Sequence, residues 1–309
     1  MKHHYVPAFY LRGFVDPACP PGHTHCVWLV DLDNGKIKCK SPENAAAITD
    51  YYAVGDGENR QDVEKYLSAV ESQTAPVITR ILGDYDTIDE NDKAILAYFA
   101  ALQVVRVPQF RDRVEEFITR IAEVTNAMII RSRDSFEDGL RASHPDRTFT
   151  AEEMDEIYAF ACDPSSYRIR ANPEAALGVG LNVVPKVRDI LNRMSWAVME
   201  PAGAGNFWSS DNPLYYINPD STHPFMGHAL LAKSIEVNLP LGPRRCLFMA
   251  WSPGIEGPGR IPVKDVPCIQ ERGIAGAKRY LFCSTKADAE AAMAAHCRMY
   301  PSRHQRPSA

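Results

Sequence analysis

The chain changes its hydrophobic rhythm twice. Between about residues 60 and 193 apolar side chains recur every three or four positions, the period of an amphipathic helix. Outside that block they alternate, or run in short β-branched and aromatic stretches. Val63, Leu67, Val70, Val77, Ile78 and Ile81 predict a helix over 60–82, kinked at Pro76 and ended by Gly83. A second helix is expected from Asp89-Glu90, with Ile95, Phe99 and Leu102 on one face, stopping where Pro108 biases Val107 toward an extended backbone. The third, 108–138, sets Phe110, Val114, Phe117, Ile121, Met128 and Ile129 against a mixed-charge face that reads as solvated. Thr150 and Glu153 form a capping box for a fourth helix to about Cys162, and Asn172-Pro173 introduces a fifth to about Arg193.

Before the helical block, two β-rich runs between Cys26 and Cys39 flank Asn34-Gly35, the strongest short-range hairpin signal. After it come β-rich runs at 196–200, 207–209, 214–217, 235–239 and 246–251, then a helix over 263–277, a strand over 279–283 and a helix over 286–295. Residues 55–59 read as a loop and 301–309 as a flexible tail. Strands at both ends with helices between predict one α+β domain over 1–300. In it a central helical region packs with an antiparallel or mixed sheet formed by the N-terminal hairpin and the C-terminal strands. The alternative divides the chain into a mainly helical part with the hairpin, 1–193, and a β-rich part, 194–300.

Composition narrows the function classes. A formal charge of −5 over 309 residues supplies no global basic field, so any polyanion would need a local patch, and a nucleic-acid signature is weak. The apolar run at 95–105 is too short to span a membrane, and polar residues break the N-terminus as a leader peptide, so a cytoplasmic protein is expected. Eight scattered cysteines read as free, buried thiols. Cys19-x3-His23-x-His25-Cys26 has zinc-like residue types but lacks a second ligand pair at a recognised spacing, and so reads as a solvated Pro-rich loop.

The residues with candidate chemistry begin at His3 and His4, which precede a short amphipathic turn started by Pro7 and closed by Gly13. Imidazole offers proton transfer near neutral pH and a metal ligand, although neighbours on an extended chain point to opposite sides. Glu71 falls on the apolar stripe of its helix, and Arg106 on the apolar face of the next, with Gln103 one turn behind. Charges there need partners, which makes Arg106 either the ion-pair partner of Glu71 or an anchor for an anionic substrate. Asp211 and Asn212 end a β-rich run before Pro213, a place suited equally to a site or to turn chemistry.

The opening His3-His4-Tyr5-Val6-Pro7 with Tyr10-Leu11-Arg12-x-Phe14, the helical Glu71, Gln103-x-x-Arg106-x-Pro108, Ser210-Asp211-Asn212-Pro213 and Pro240-Leu241-Gly242-Pro243 together resemble the DUF4238 family. The likeness spans residue 3 to about 284. It implies one coherent domain in a largely bacterial family of unknown function, with no activity to carry over. From the residues themselves, the leading expectation is a metal-dependent hydrolase of a phosphoester in a nucleotide or nucleic acid. His4, Glu71 and Asp211 would hold a divalent metal ion; His3, His4, Glu71, Arg106 and Asp211 would be catalytic; Gln103, Arg106 and Asn212 would bind a small anionic substrate or nucleotide. The competing expectations are a non-catalytic protein that recognises an anionic ligand or partner, and a metal-independent small-molecule enzyme with a histidine general base.

Overall fold

A computed structural model describes residues 2–52, 61–83, 87–169, 172–220 and 230–301. The loop expected at 55–59 and nearly all of the expected tail lie outside them. The chain forms two compact units, one of residues 1–110 and 180–309, the other of residues 111–179.

In the larger unit the hairpin forms as its turn chemistry requires. β1 (Lys2–His4) pairs antiparallel with β4 (Ala47–Thr49), while β2 (Val27–Asp31) and β3 (Lys36–Lys40) close around Gly35, whose φ of 69° favours glycine. α1 (Ala8–Leu11) follows Pro7 and tightens into a single 3₁₀ turn over Arg12–Phe14, and α2 (Pro42–Ala45) links β3 to β4. Two long helices come next. α3 (Asp62–Leu82) buries Leu67, Val70, Val77, Ile78 and Ile81 against α4 (Glu90–Val105), which is opened by a capping box between Asp89 and Asp92. The inward stripe of α4 is Leu96, Phe99 and Leu102; Ile95 is only half-buried, because Leu96 faces the core in its place.

The C-terminal strands complete two sheets. β5 (Ser195–Pro201), β6 (Ser209–Ser210), β7 (Tyr215–Ile217), β8 (Glu236–Gly242), β9 (Arg245–Ala250), β10 (Gly257–Ile261) and β11 (Tyr280–Cys283) lie close to the expected runs, except for β10. That strand is Gly-Pro-Gly-Arg-Ile, a poor strand composition tolerated because it is an edge, parallel to β5 in the five-stranded order β10-β5-β9-β8-β7. The second sheet has the order β3-β2-β11-β6, so the N-terminal hairpin joins a C-terminal strand through the antiparallel β2–β11 pairing. This is the mixed α+β arrangement expected from the hydrophobic rhythm. α9 (Val266–Gly276) and α10 (Lys286–Met299) follow, and Ala289, Ala292 and Ala295 of α10 pack on Val30, Leu281 and Cys283 of that sheet.

Residues 2–14 are built into this unit. Tyr10 is fully buried; its hydroxyl donates to the Pro240 carbonyl and lies 2.9 Å from Ser209 Oγ, which places the N-terminal turn beside β6 and β8. A Cβ on Gly13 would stand 2.7 Å from the Leu241 carbonyl oxygen, and one on Gly242 would stand 2.7 Å from Leu82 Cδ2. The Leu241-Gly242 pair and Gly13 therefore permit a close backbone approach that any side chain would block.

The smaller unit is helical. The helix expected over 108–138 is broken: α5 (Pro108–Ile129) ends, and α6 (Arg133–Ser143) starts at Ser132, whose side chain caps the Ser135 amide. α7 (Ala151–Cys162) opens with the expected Thr150–Glu153 box, and α8 (Pro173–Asn192) begins in this unit, its residues from 180 on belonging to the larger one. Phe117, Ile121, Met128 and Ile129 of α5 are exposed, so the stripe read as a core face is largely uncovered in the single chain. Among the described residues no helix is long and apolar enough to cross a membrane.

Candidate functional site

The histidine pair is held in place by structure. On β1, His3 is buried; its Nδ1 accepts a 2.8 Å hydrogen bond from the Tyr52 amide, and the two rings stack at 5.7 Å. His4 points elsewhere, as adjacent residues on a strand must, and its Nε2 donates to the Glu43 carbonyl at 3.0 Å. Arg106, at the end of α4, is almost wholly buried. Its Nη1 donates to Glu71 Oε1 at 2.9 Å and its Nη2 to the His4 carbonyl, while the Tyr52 hydroxyl donates to the Arg106 carbonyl at 2.9 Å. Burial opposes the Arg106 charge, and Tyr52 and Glu71 more than offset it, so the guanidinium stays protonated. This knot ties β1 to α3 and α4. It spends His4's backbone carbonyl, Glu71 and Arg106 on holding the N-terminus in place. Gln103 is fully buried, with its Nε2 3.5 Å from the Phe99 carbonyl one turn back.

Asp211 sits elsewhere and does something different. It follows β6, whose pairing with β11 brings it opposite the stretch entering β11. Its Oδ1 accepts the Lys278 amide at 2.8 Å, and its Oδ2 accepts the amides of Arg279 at 2.8 Å and Tyr280 at 2.9 Å. Three successive backbone N–H groups thus form a nest around one carboxylate, as they would around a bound anion. Burial pushes the Asp211 carboxyl up to about 6, against the pull of those three amides and of Lys278 toward the charged form. Asn212 donates from Nδ2 to Gln109 Oε1 at 2.6 Å and to the Gly276 carbonyl at 3.1 Å, so its amide ties Gln109 to the end of α9 within the larger unit.

The expected metal ligands do not gather. Among the described residues no three His, Cys, Asp or Glu side chains form a group that could hold a metal ion, and His4, Glu71 and Asp211 are all described. The physical reason lies in their partners: the Glu43 carbonyl takes the His4 imidazole, Arg106 takes Glu71, and the amide nest takes Asp211.

A cleft of about 410 Å³ opens beside Asp211. Its cationic groups are Lys38 and Lys40 from β3, with Lys278 and Arg279; its acids are Asp31 and Asp211; and Tyr5, Tyr280, Pro108 and Ile48 supply apolar surface. Arg279 is committed to Asp31 through bonds of 3.0 and 2.8 Å, which lower the Asp31 carboxyl below its ordinary range. Burial pushes the phenols of Tyr5 and Tyr280 upward, so both are neutral. Lys38 and Lys40 alternate onto one face of an edge strand, are exposed, and are not paired with any described residue. With Asp31 and Asp211 both engaged, the cleft presents ammonium groups to solvent. A larger hollow, about 660 Å³, lies in the smaller unit; of its three lining charges Arg120 and Glu123 pair with each other, which leaves Arg168 as its one further cation.

The sequence reading passed over Lys38, Lys40, Lys278, Arg279 and Tyr5. The available signal was Lys36-x-Lys38-x-Lys40, three ammonium groups on one face of a strand, and Lys278-Arg279 at the start of another.

A model of the family described as "Protein of unknown function (DUF4238)" matches residues 2–285. No curated protein and no solved structure matches the chain.

Proposed function

We propose that this chain, which belongs to the DUF4238 family, recognises a small anionic ligand in the cleft beside Asp211. One observation carries this reading: Lys38 and Lys40 stand on the same cleft as a carboxylate whose charge is already met by three backbone amides. Such a cleft can admit a phosphate or carboxylate group without competition from Asp211, while Tyr5 and Tyr280 offer ring surface to an apolar or aromatic portion. The volume suits a ligand about the size of a nucleotide. Recognition is favoured over metal-dependent phosphoester hydrolysis because His4 and Glu71 are spent on the N-terminal knot.

Adenosine monophosphate is a suitable probe. Isothermal titration of the full chain is expected to show binding that weakens as salt is raised, and the double substitution Lys38→Glu with Lys40→Glu is expected to reduce affinity at least about 10-fold by reversing the sign of that wall. Both lysines are exposed, so the melting temperature should hardly move. Unchanged affinity in the double variant would remove this cleft as the site.

A further inference from the structure

The loop before β2 brings together two thiols that the anion site does not use. The Asp16 amide donates to the Cys26 carbonyl at 2.8 Å, and the Asp16 carboxylate accepts the Ala18 amide at 2.8 Å and the Trp28 indole N–H at 2.7 Å, so the two ends of the loop are pinned side by side. Between them Pro20-Pro21-Gly22-His23 makes a turn, closed by a 3.1 Å bond from the His23 amide to the Pro20 carbonyl and allowed by a φ of 88° at Gly22. The result is a contact of 3.4 Å between Cys19 Sγ and Cys26 Sγ, while the Cys26 amide donates to Cys19 Sγ at 3.1 Å. His23 and His25 are both exposed.

We propose that Cys19 and Cys26 are a thiol–disulfide couple that exchanges with low-molecular-weight disulfides. The two sulfurs are unequal in a way that sets the order of events. Cys19 is half-buried, so an outside disulfide can reach it, and its sulfur is held in place between the Asp16 carbonyl and the Cys26 amide. Cys26 is fully buried, and burial, with the neighbouring thiols of Cys39 and Cys19, pushes its own thiol up. In the first step Cys19 loses its proton and its thiolate attacks one sulfur of the small disulfide. A mixed disulfide forms, and the small-molecule S–S bond breaks to release a thiolate that takes up a proton. In the second step Cys26 loses its proton and its sulfur attacks the Cys19 sulfur, releasing the second small thiolate, which is protonated in turn. Two protein thiols are oxidised and one external disulfide is reduced to two thiols. Cys39 sits on β3 between Lys38 and Lys40, so the couple lies at the base of the hairpin that carries the cationic wall.

The test uses the full wild-type chain, equilibrated in mixtures of reduced and oxidised glutathione, alkylated, and analysed by intact mass and peptide mapping. The expected result is a species carrying two fewer alkyl groups than the fully reduced chain and, apart from them, lighter by about 2 Da, whose mapped crosslink joins Cys19 to Cys26. The crosslink should persist in Cys39→Ala. Three results would overturn the proposal: a stable glutathione adduct on Cys19 with Cys26 still alkylated, a crosslink between Cys26 and Cys39, or alkylation of both thiols at every glutathione ratio. Each is read on the wild-type chain, so the outcome does not depend on how a variant folds.

Discussion

Asp211→Ala is expected to destabilise the protein by about 4 kcal/mol and to abolish anion binding in the cleft. The substitution leaves the amides of Lys278, Arg279 and Tyr280 without the acceptor that now takes all three. An orphaned buried donor costs about 1–3 kcal/mol, and three on one acceptor do not add in full. The urea midpoint should fall while the slope of the transition stays the same, and an unchanged midpoint would show that those amides find other partners. Binding should be lost with stability because the same three residues form one wall of the cleft. A pH signature accompanies this. The Asp211 carboxyl is raised from an ordinary value of 3.8 to about 6 in the folded chain. Between those limits Asp211 holds more of a proton in the folded state than in the unfolded one, so the contribution of this group to stability falls as pH rises from about 4 to about 6. Asp211→Asn, which does not titrate, should flatten that part of the profile.

The second large effect is at Arg106. Its side chain is 2% exposed and its partner Glu71 25%, so Arg106→Met leaves a partly buried carboxylate unpaired and the His4 carbonyl with only the Tyr52 hydroxyl, 3.5 Å away, as donor. A loss of about 3 kcal/mol is expected, while Arg106→Met with Glu71→Leu should recover more than half, because the double change leaves no orphan charge. Anion affinity of the folded single variant should be unchanged, since neither residue lines the cleft. Thermal melts of the two variants, with the titration above, check all three statements. Collapse of binding with stability intact would return Arg106 to the substrate role.

These two sites show how far the sequence could be read. The helical period placed Arg106 on an inward face, and burying a charge demands a partner, so the pairing with Glu71 was one of two readings open from sequence alone. The Asn34-Gly35 turn and the apolar N-terminal stretch were equally legible, because local turn chemistry and apolar side chains act over a few residues. β10 was missed since its register comes from its neighbour β5 and not from its own Gly-Pro-Gly composition. The cleft was missed for a similar reason. Lys38 and Lys278 lie 240 positions apart, and only the pairing of β2 with β11 brings their strands into one sheet. The partners of His3 and His4 were not legible because imidazole chemistry is visible in a sequence, whereas the Tyr52 amide and the Glu43 carbonyl that engage the rings are backbone groups, which every residue carries.

The most direct test is an amide chemical-shift titration of the full chain with adenosine monophosphate. If the cleft beside Asp211 is the anion site, the largest shifts fall on Tyr5, on Lys38 to Lys40 and on Lys278 to Tyr280, and they fade as salt is added. Shifts gathered instead on His3, Tyr52 and Arg106, or none at saturating nucleotide, would contradict it.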